Sequence, residues 1–335
     1  MFVPPRAIEG ARGHAGAFRQ VAHGCARVST APERLERGGE HILLIELSWA
    51  SHVIRVAHLK TIVLVCATVA SLFENDRSQI AIEVHHTRMK GTWMEIVDGI
   101  HRFDTGPFNW YLIEEGGRLT LVDAGFPSHY GVFVDGLAAI GRTLADLEAV
   151  ILTHSHADHT GFAARLQRET NARILVHRDD RDAISRQYVL PWAGLVSHLW
   201  RPFTASIVWH AVTHGLLRGS RIPSADVFDG GDELDVPGHP TVIHVPGHTD
   251  GEVAFFLAGR GVLFSGDTLV TRNLYTGAEG TPQVPSHGLN TDDELAMVSL
   301  DRMRDLGTVT MLPGHGRPWH GRMDDAVRLA RQLPA

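Results

Sequence analysis

From residue 95 onward, short apolar runs alternate with polar, glycine-containing turns, and the spacing of those runs predicts the elements. Residues 95–103 read as a first strand. Residues 109–114 (NWYLIE) and 119–123 (LTLVD) are apolar and β-prone, and Gly116-Gly117 between them marks a hairpin. A helix is expected over 129–141, where Val132, Phe133, Leu137 and Ile140 recur on one face. The run Val150-Ile151-Leu152 suits a buried strand at 149–153. A helix from near Asp158 to about Arg168, a strand at 173–177 and a short helix from Asp179 follow it. Further strands are expected at 233–236, 241–245, 252–257, 261–264 and 308–312. The helix before the last of these opens with a capping box in which Thr291 and Glu294 satisfy backbone donors. Strands alternating with helices predict an α/β layered fold.

Two stretches break this rhythm. Residues 187–225 carry Tyr188, Trp192, Trp200, Phe203 and Trp209 beside His198, His210 and His214. Such an aromatic, irregular insertion suits a substrate lid or pocket wall, and equally a surface packed on a partner subunit. Residues 1–88 hold apolar runs at 41–47 and 53–73 but no metal-ligand spacing, despite His85 and His86. Met89 and Met94 stand just before the first patterned strand. We therefore expect 1–88 to be an N-terminal extension of uncertain order, read as an over-extended gene start outside the folded enzyme or, in the competing reading, as a real accessory segment packed on the domain, with 89–335 as the catalytic domain.

Composition narrows the function classes. The 335-residue chain is 44% hydrophobic, enough for a sizeable core, and its net charge is -7. That charge divides into +2 over residues 1–88 and -9 over the remainder, which disfavours a nucleic-acid footprint. The two cysteines, Cys25 and Cys66, both lie before residue 89, so there is neither a disulfide framework nor a thiolate for a metal. Any metal rests on histidine and carboxylate, a donor set that fits zinc and also non-haem iron or manganese. The longest apolar run, residues 61–73, is shorter than the roughly 20 residues of a bilayer span and begins too late for a secretory signal. The expected setting is cytoplasmic, with a small-molecule substrate, no nucleic acid and no membrane; a homodimer is left open.

The candidate chemistry centres on residues 149–161, AVILTHSHADHTG. A strand alternates its side chains, so His154 and His156 leave the strand tip on the same side. If a helix begins near Asp158, that carboxylate and His159 turn back toward the same point. Four nitrogen or carboxylate donors within six residues suggest two metals. Ser155 has no visible base partner and reads as a solvent-facing spacer. Three later connections, PGHTDG at 246–251, SGDTL at 265–269 and PGHG at 313–316, each carry a potential ligand beside a glycine that lets the backbone turn sharply.

Asp123, the run His154-x-His156-x-Asp158-His159, His248, Asp267 and His315 together resemble the metallo-β-lactamase-fold hydrolase superfamily over residues 95–320. The resemblance implies a four-layer αββα sandwich with a binuclear zinc centre at the sheet edge. It assigns His154, His156 and His248 to one metal and Asp158, His159 and His315 to the other, with Asp267 bridging. Asp123 would orient ligands without touching the metals, and Asp158 would also steer the nucleophile or take a proton. The implied activity is attack by metal-held hydroxide on an ester, thioester or lactone carbonyl. A mononuclear iron sulfur dioxygenase on the same scaffold is the alternative.

Departures from the family's branches narrow the substrate. True β-lactamases of the superfamily lack an aspartate at the position of Asp267. The glyoxalase II-like branch carries it, but only 20 residues follow His315, too few for that branch's helical substrate domain. The tyrosine of acyl-homoserine lactonases is replaced by Val270. Arg272, Asn273 and Tyr275, in the long loop after Asp267, are the candidate substrate contacts, Arg272 for a carboxylate or phosphate.

Overall fold

The computed structural model describes residues 92–186, 192–218 and 221–333. The reading of residues 1–88 therefore lies outside the described residues, as does Tyr188. Ile82–Ala335 forms a compact unit of its own.

The first half runs β1 (Thr92–Val97), β2 (Ile100–Asp104), β3 (Asn109–Glu115), β4 (Arg118–Val122), α1 (Tyr130–Ala139) and β5 (Leu147–Ile151), followed by α2 (Ala157–Thr160) and α3 (Ala163–Glu169). It continues through β6 (Arg173–His177), α4 (Arg181–Ser185), α5 (Trp192–Ser197), α6 (Pro202–Thr213) and β7 (Asp226–Phe228). These strands form one seven-stranded sheet in chain order. β1 to β4 pair antiparallel and β4 to β7 parallel, the parallel connections being the ones that carry helices.

The second half holds β8 (Thr241–His244), β9 (Val253–Leu257), β10 (Val262–Gly266), β11 (Val270–Arg272), β12 (Glu279–Gln283), α7 (Asp293–Ser299), β13 (Thr308–Pro313), β14 (Trp319–Arg322) and α8 (Met323–Gln332). Its five-stranded sheet has the order β14-β13-β10-β9-β8, and β11 and β12 pair separately.

Strand alternation builds four layers. Tyr111, Ile113 and Val122 from the first sheet meet Val253, Phe255 and Phe264 from the second in one buried cluster between the sheets. The opposite faces, with Trp110, Leu112, Leu119 and Leu121, pack on Phe133, Leu137, Phe162 and Leu166 of the helical layer. Ala254, Leu263 and Met311 likewise pack outward on Ala296, Met323 and Val327. Burial on both faces is why the strands read as continuous apolar runs. The expected αββα sandwich is the fold observed.

Three local expectations need correction. Residues 95–103 are not one strand: Asp98-Gly99, with Gly99 at φ +66°, reverses the chain into the β1–β2 hairpin. Residues 233–236 make a single bridge, Glu233 to Thr241, because Pro237 and Pro240 cannot donate to a ladder. Thr291 does not cap α7. Its hydroxyl donates to the His248 carbonyl (3.0 Å), and Asp292 caps instead, accepting from the Leu295 N–H (2.9 Å).

Candidate metal centre

The seven proposed donors all leave the ends of strands that point the same way: residues 154–159 after β5, His248 after β8, Asp267 after β10 and His315 after β13. Asp123 follows β4 in the same manner. Side chains far apart in sequence thus meet at one edge of the two sheets, where strand ends of α/β folds place their ligands.

Donor atoms of His154, His156 and His248 lie within 4.8 Å of one another, as do those of Asp158, His159 and His315, and those of His154, His159 and Asp267. Asp267 sits between the groups: its Oδ2 is 2.9 Å from Nε2 of His315 and 3.5 Å from Nε2 of His248, while Oδ1 is 3.6 Å from Nε2 of His159. All seven are buried except His156 and Asp158, which are partly exposed.

Hydrogen bonding settles which nitrogen faces inward. His159 Nδ1 bonds Asp123 Oδ2 (2.7 Å), His315 Nδ1 the Pro107 carbonyl (2.7 Å) and His248 Nδ1 the Asn290 Oδ1 (3.0 Å). Each partner is an acceptor, so Nδ1 carries the proton and Nε2 keeps its lone pair for the centre. Nδ1 of His154 lies 3.0 Å from Thr153 Oγ1 and 3.1 Å from Glu252 Oε2. His156 turns the other way, with Nδ1 facing His248 Nε2 at 2.8 Å.

Nε2 of His154 and His159 and Oδ1 of Asp267 are buried without a hydrogen-bond partner. Orphaned polar atoms of this kind are costly unless something satisfies them. Imidazole nitrogens and a carboxylate oxygen converging in this way fit a bound metal cation.

The carboxylates favour positive charge at the centre. Burial pushes the His159 imidazole down, but Asp123, Asp158 and Asp267 outweigh it and hold it well above its ordinary value. Burial and the neighbouring imidazoles push His154 well below. Burial raises the Asp267 carboxyl, yet His315, His159 and His248 more than offset this and keep it ionised.

Three supporting residues escaped the sequence reading. Glu252 is fully buried; Oε1 accepts the Asp267 N–H (2.9 Å), and burial followed by the Asp267 charge raises its carboxyl well above the usual range. Asp180 accepts from the Ser155 N–H, the Thr249 hydroxyl and the Gly251 N–H, tying the two ligand loops together. Asn290 donates to Pro285 and Asp293, which leaves its oxygen for His248. Ser155, expected to face solvent, is buried.

A slot opens onto the centre. It spans about 600 Å³ of empty space, part of it open to solvent, and most of it is narrow. His156, Asp158, His248, Asp267 and His315 line one end, and α5 and α6 contribute Leu195, Ile207, Val208 and Ala211. The described part of the insertion therefore walls the slot.

The insertion is pinned by a histidine pair. His129 Nδ1 accepts the Phe126 N–H (3.1 Å), so its Nε2 carries the proton and points it at Nε2 of His210 on α6 (3.1 Å). His129 is thereby committed to a hydrogen bond, although His129, His210 and His214 lie within metal-binding reach of one another.

None of the three expected substrate contacts lines the slot, although Leu274 does. Arg272 donates to the Gly106 carbonyl and pairs with Glu279. Asn273 bonds Gln283 and Ser286 and accepts from the Tyr275 N–H. Tyr275 stacks on His198 and donates to the His287 carbonyl (2.8 Å). These side chains hold the β11–β12 loop.

A sequence profile described as the metallo-beta-lactamase superfamily matches residues 104–315. Among curated proteins, the chain is 27% identical over 260 residues to the probable metallo-hydrolase YflN of Bacillus subtilis, covering 72% of this chain and 94% of that protein. It is 30% identical over 175 residues to a hydroxyacylglutathione hydrolase of Methylobacillus flagellatus, covering 51% of each, so it spans about half the length of that relative. Among solved structures, the Rm3 metallo-beta-lactamase superposes with a TM-score of 0.51 at 16% identity, over 73% of this chain and 94% of that one. Among the described residues, no helix is long and apolar enough to cross a membrane.

Proposed function

The chain belongs to the metallo-beta-lactamase superfamily and is a metallo-hydrolase, and from that premise we propose that it is a binuclear zinc enzyme hydrolysing a small ester, thioester or lactone. The observation that carries the reading is the set of buried, unpartnered atoms on His154, His159 and Asp267, the last of which lines the slot. His154, His156 and His248 would hold one cation, Asp158, His159 and His315 the other, and Asp267 both, since its two oxygens face different imidazoles. Bound there, the cations supply Lewis acidity, which lowers the pKa of water toward ~7 and polarises a carbonyl.

The chain's own residues do the rest. The Nδ1 bonds to Asp123, Asn290 and Pro107 fix ring orientation and tautomer. Asp158 faces the slot, so its carboxylate is placed to orient a water or accept its proton. The apolar walls exclude bulk solvent, which strengthens charge interactions at the reacting carbon. In the net reaction water oxygen bonds the acyl carbon, the acyl–heteroatom bond breaks, and a water proton leaves on the departing heteroatom.

The test is a panel of esters, thioesters and lactones with the purified protein. Activity should vanish with a chelator and return with zinc, and Asp267→Ala and His156→Ala should abolish it. Unchanged rates in both variants would defeat the reading. One iron per chain with oxygen uptake would instead establish the dioxygenase.

A further inference from the structure

Two cavities of opposite character meet at His156 and Leu289. The first is the slot: of the described residues that line it, ten are apolar and the other five belong to the candidate metal centre. Phe108 and Phe126, packed edge to face (4.9 Å), form one wall, with Ile207 and Ala211 of α6 in the same buried cluster. Little of its space is wide enough for a water molecule. A slim hydrocarbon fits such a space; a polar group would lose its hydration without a partner.

The second cavity is wider and polar, lined by Ser155, Thr249 and Asn290 among others, with three aspartates. Asp180 is engaged by three donors, but Asp179 and Asp250 are exposed. Among the described residues no lysine or arginine lines either cavity. The two guanidiniums nearest in sequence to the centre are engaged elsewhere: Arg317 pairs with Glu279 (3.3 Å), and Arg272 is held by Glu279 and the Gly106 carbonyl. Beyond the metals themselves, nothing there would receive an anionic tail, and two carboxylates would repel one.

Resting on the hydrolase reading, we propose that the substrate joins a slim apolar acyl group, seated in the slot, to a neutral or cationic leaving group lying over Asp179 and Asp250. Polyanionic carriers such as coenzyme A are poor leaving groups for this site. Hydrolysis releases the apolar carboxylic acid in the slot and the protonated alcohol or thiol into the polar cavity.

The test uses the zinc-loaded full chain and matched acetyl, butyryl and hexanoyl thioesters of neutral N-acetylcysteamine and of coenzyme A. On the N-acetylcysteamine series kcat/KM should rise about fourfold per methylene until the slot is filled. At equal acyl length the coenzyme A ester should be several-fold slower, the gap narrowing with salt. Ala211→Phe should shift the preferred acyl chain to a shorter one, and Asp179→Lys with Asp250→Lys should favour coenzyme A. A flat chain-length profile, or preference for coenzyme A in the unaltered protein, would overturn the proposal. Binding of n-alkyl alcohols by calorimetry separates the two readings: affinity rising with chain length without turnover keeps the slot and defeats the hydrolase, whereas chain-independent binding defeats the slot.

Discussion

Replacing Asp123 with asparagine changes one atom and almost no volume, and asparagine tolerates the backbone found there, φ +64°. The hydrogen bonds nevertheless leave the amide no good orientation. Oδ1 accepts the Thr153 N–H (2.8 Å) and Oδ2 accepts from His159 Nδ1 (2.7 Å). If the amide nitrogen takes the second place, two donors face each other. The ring can relieve this only by moving its proton to Nε2, which then has no lone pair for a cation. If the amide flips, the conflict moves to the Thr153 N–H. Loss of such a ring-orienting partner typically lowers metal affinity about 10–100-fold, and a buried unsatisfied donor costs about 1–3 kcal/mol. The loss should fall on the cation proposed for Asp158, His159 and His315. Competition with a chromophoric chelator reads the affinity, and long-range imidazole nitrogen–proton spectra read the tautomer. If Asp123→Asn binds two zinc ions as tightly as the parent and keeps the His159 proton on Nδ1, the reasoning is refuted.

Burial, then the neighbouring His214, holds the His210 imidazole down at about 4, against about 6.5 in the unfolded chain. The unfolded state therefore binds the extra proton first, and stability present above pH 6.5 is lost as pH falls toward 4, about 2 kcal/mol of it by pH 5. Urea unfolding at pH 7 and 5 should show a smaller loss in His210→Gln; equal losses would remove the histidine pair from the account. Phe133→Ala empties a fully buried site beside Phe103 and Phe162 and should cost about 3–5 kcal/mol by denaturant titration. Gly247 has φ +136°, and a methyl there would come within 2.2 Å of the Ala296 nitrogen. Gly247→Ala should destabilise by more than about 1 kcal/mol and weaken zinc binding through the adjacent His248, as thermal unfolding with and without zinc would show.

The convergence of the seven candidate donors was legible because every one of them follows an apolar run and precedes or follows a turn, so strand ends and donors announce each other. Layering was legible for the same reason: Val150, Ile151 and Leu152 are buried on both faces, and only a covered sheet needs that. Glu252 was not, since a residue that supports a ligand needs only to be near it in space. Its one local sign is a charge at the head of the apolar run 253–257. Arg272, Asn273 and Tyr275 looked available because their partners, Glu279, Gln283 and the His287 carbonyl, become neighbours only when β11 and β12 pair and the loop after them closes. The Asp98-Gly99 turn was readable from its dipeptide, a strong hairpin signal, and the unbroken apolar pattern around it masked the reversal.

Anomalous diffraction at the zinc edge, on crystals of the protein purified with zinc and freed of excess metal, tests the central claim most directly. Two peaks are expected, one among His154, His156 and His248 and one among Asp158, His159 and His315, with Asp267 touching both. Peaks elsewhere, or ring nitrogens of His154 and His159 bonded to protein donors with no metal between them, would contradict it.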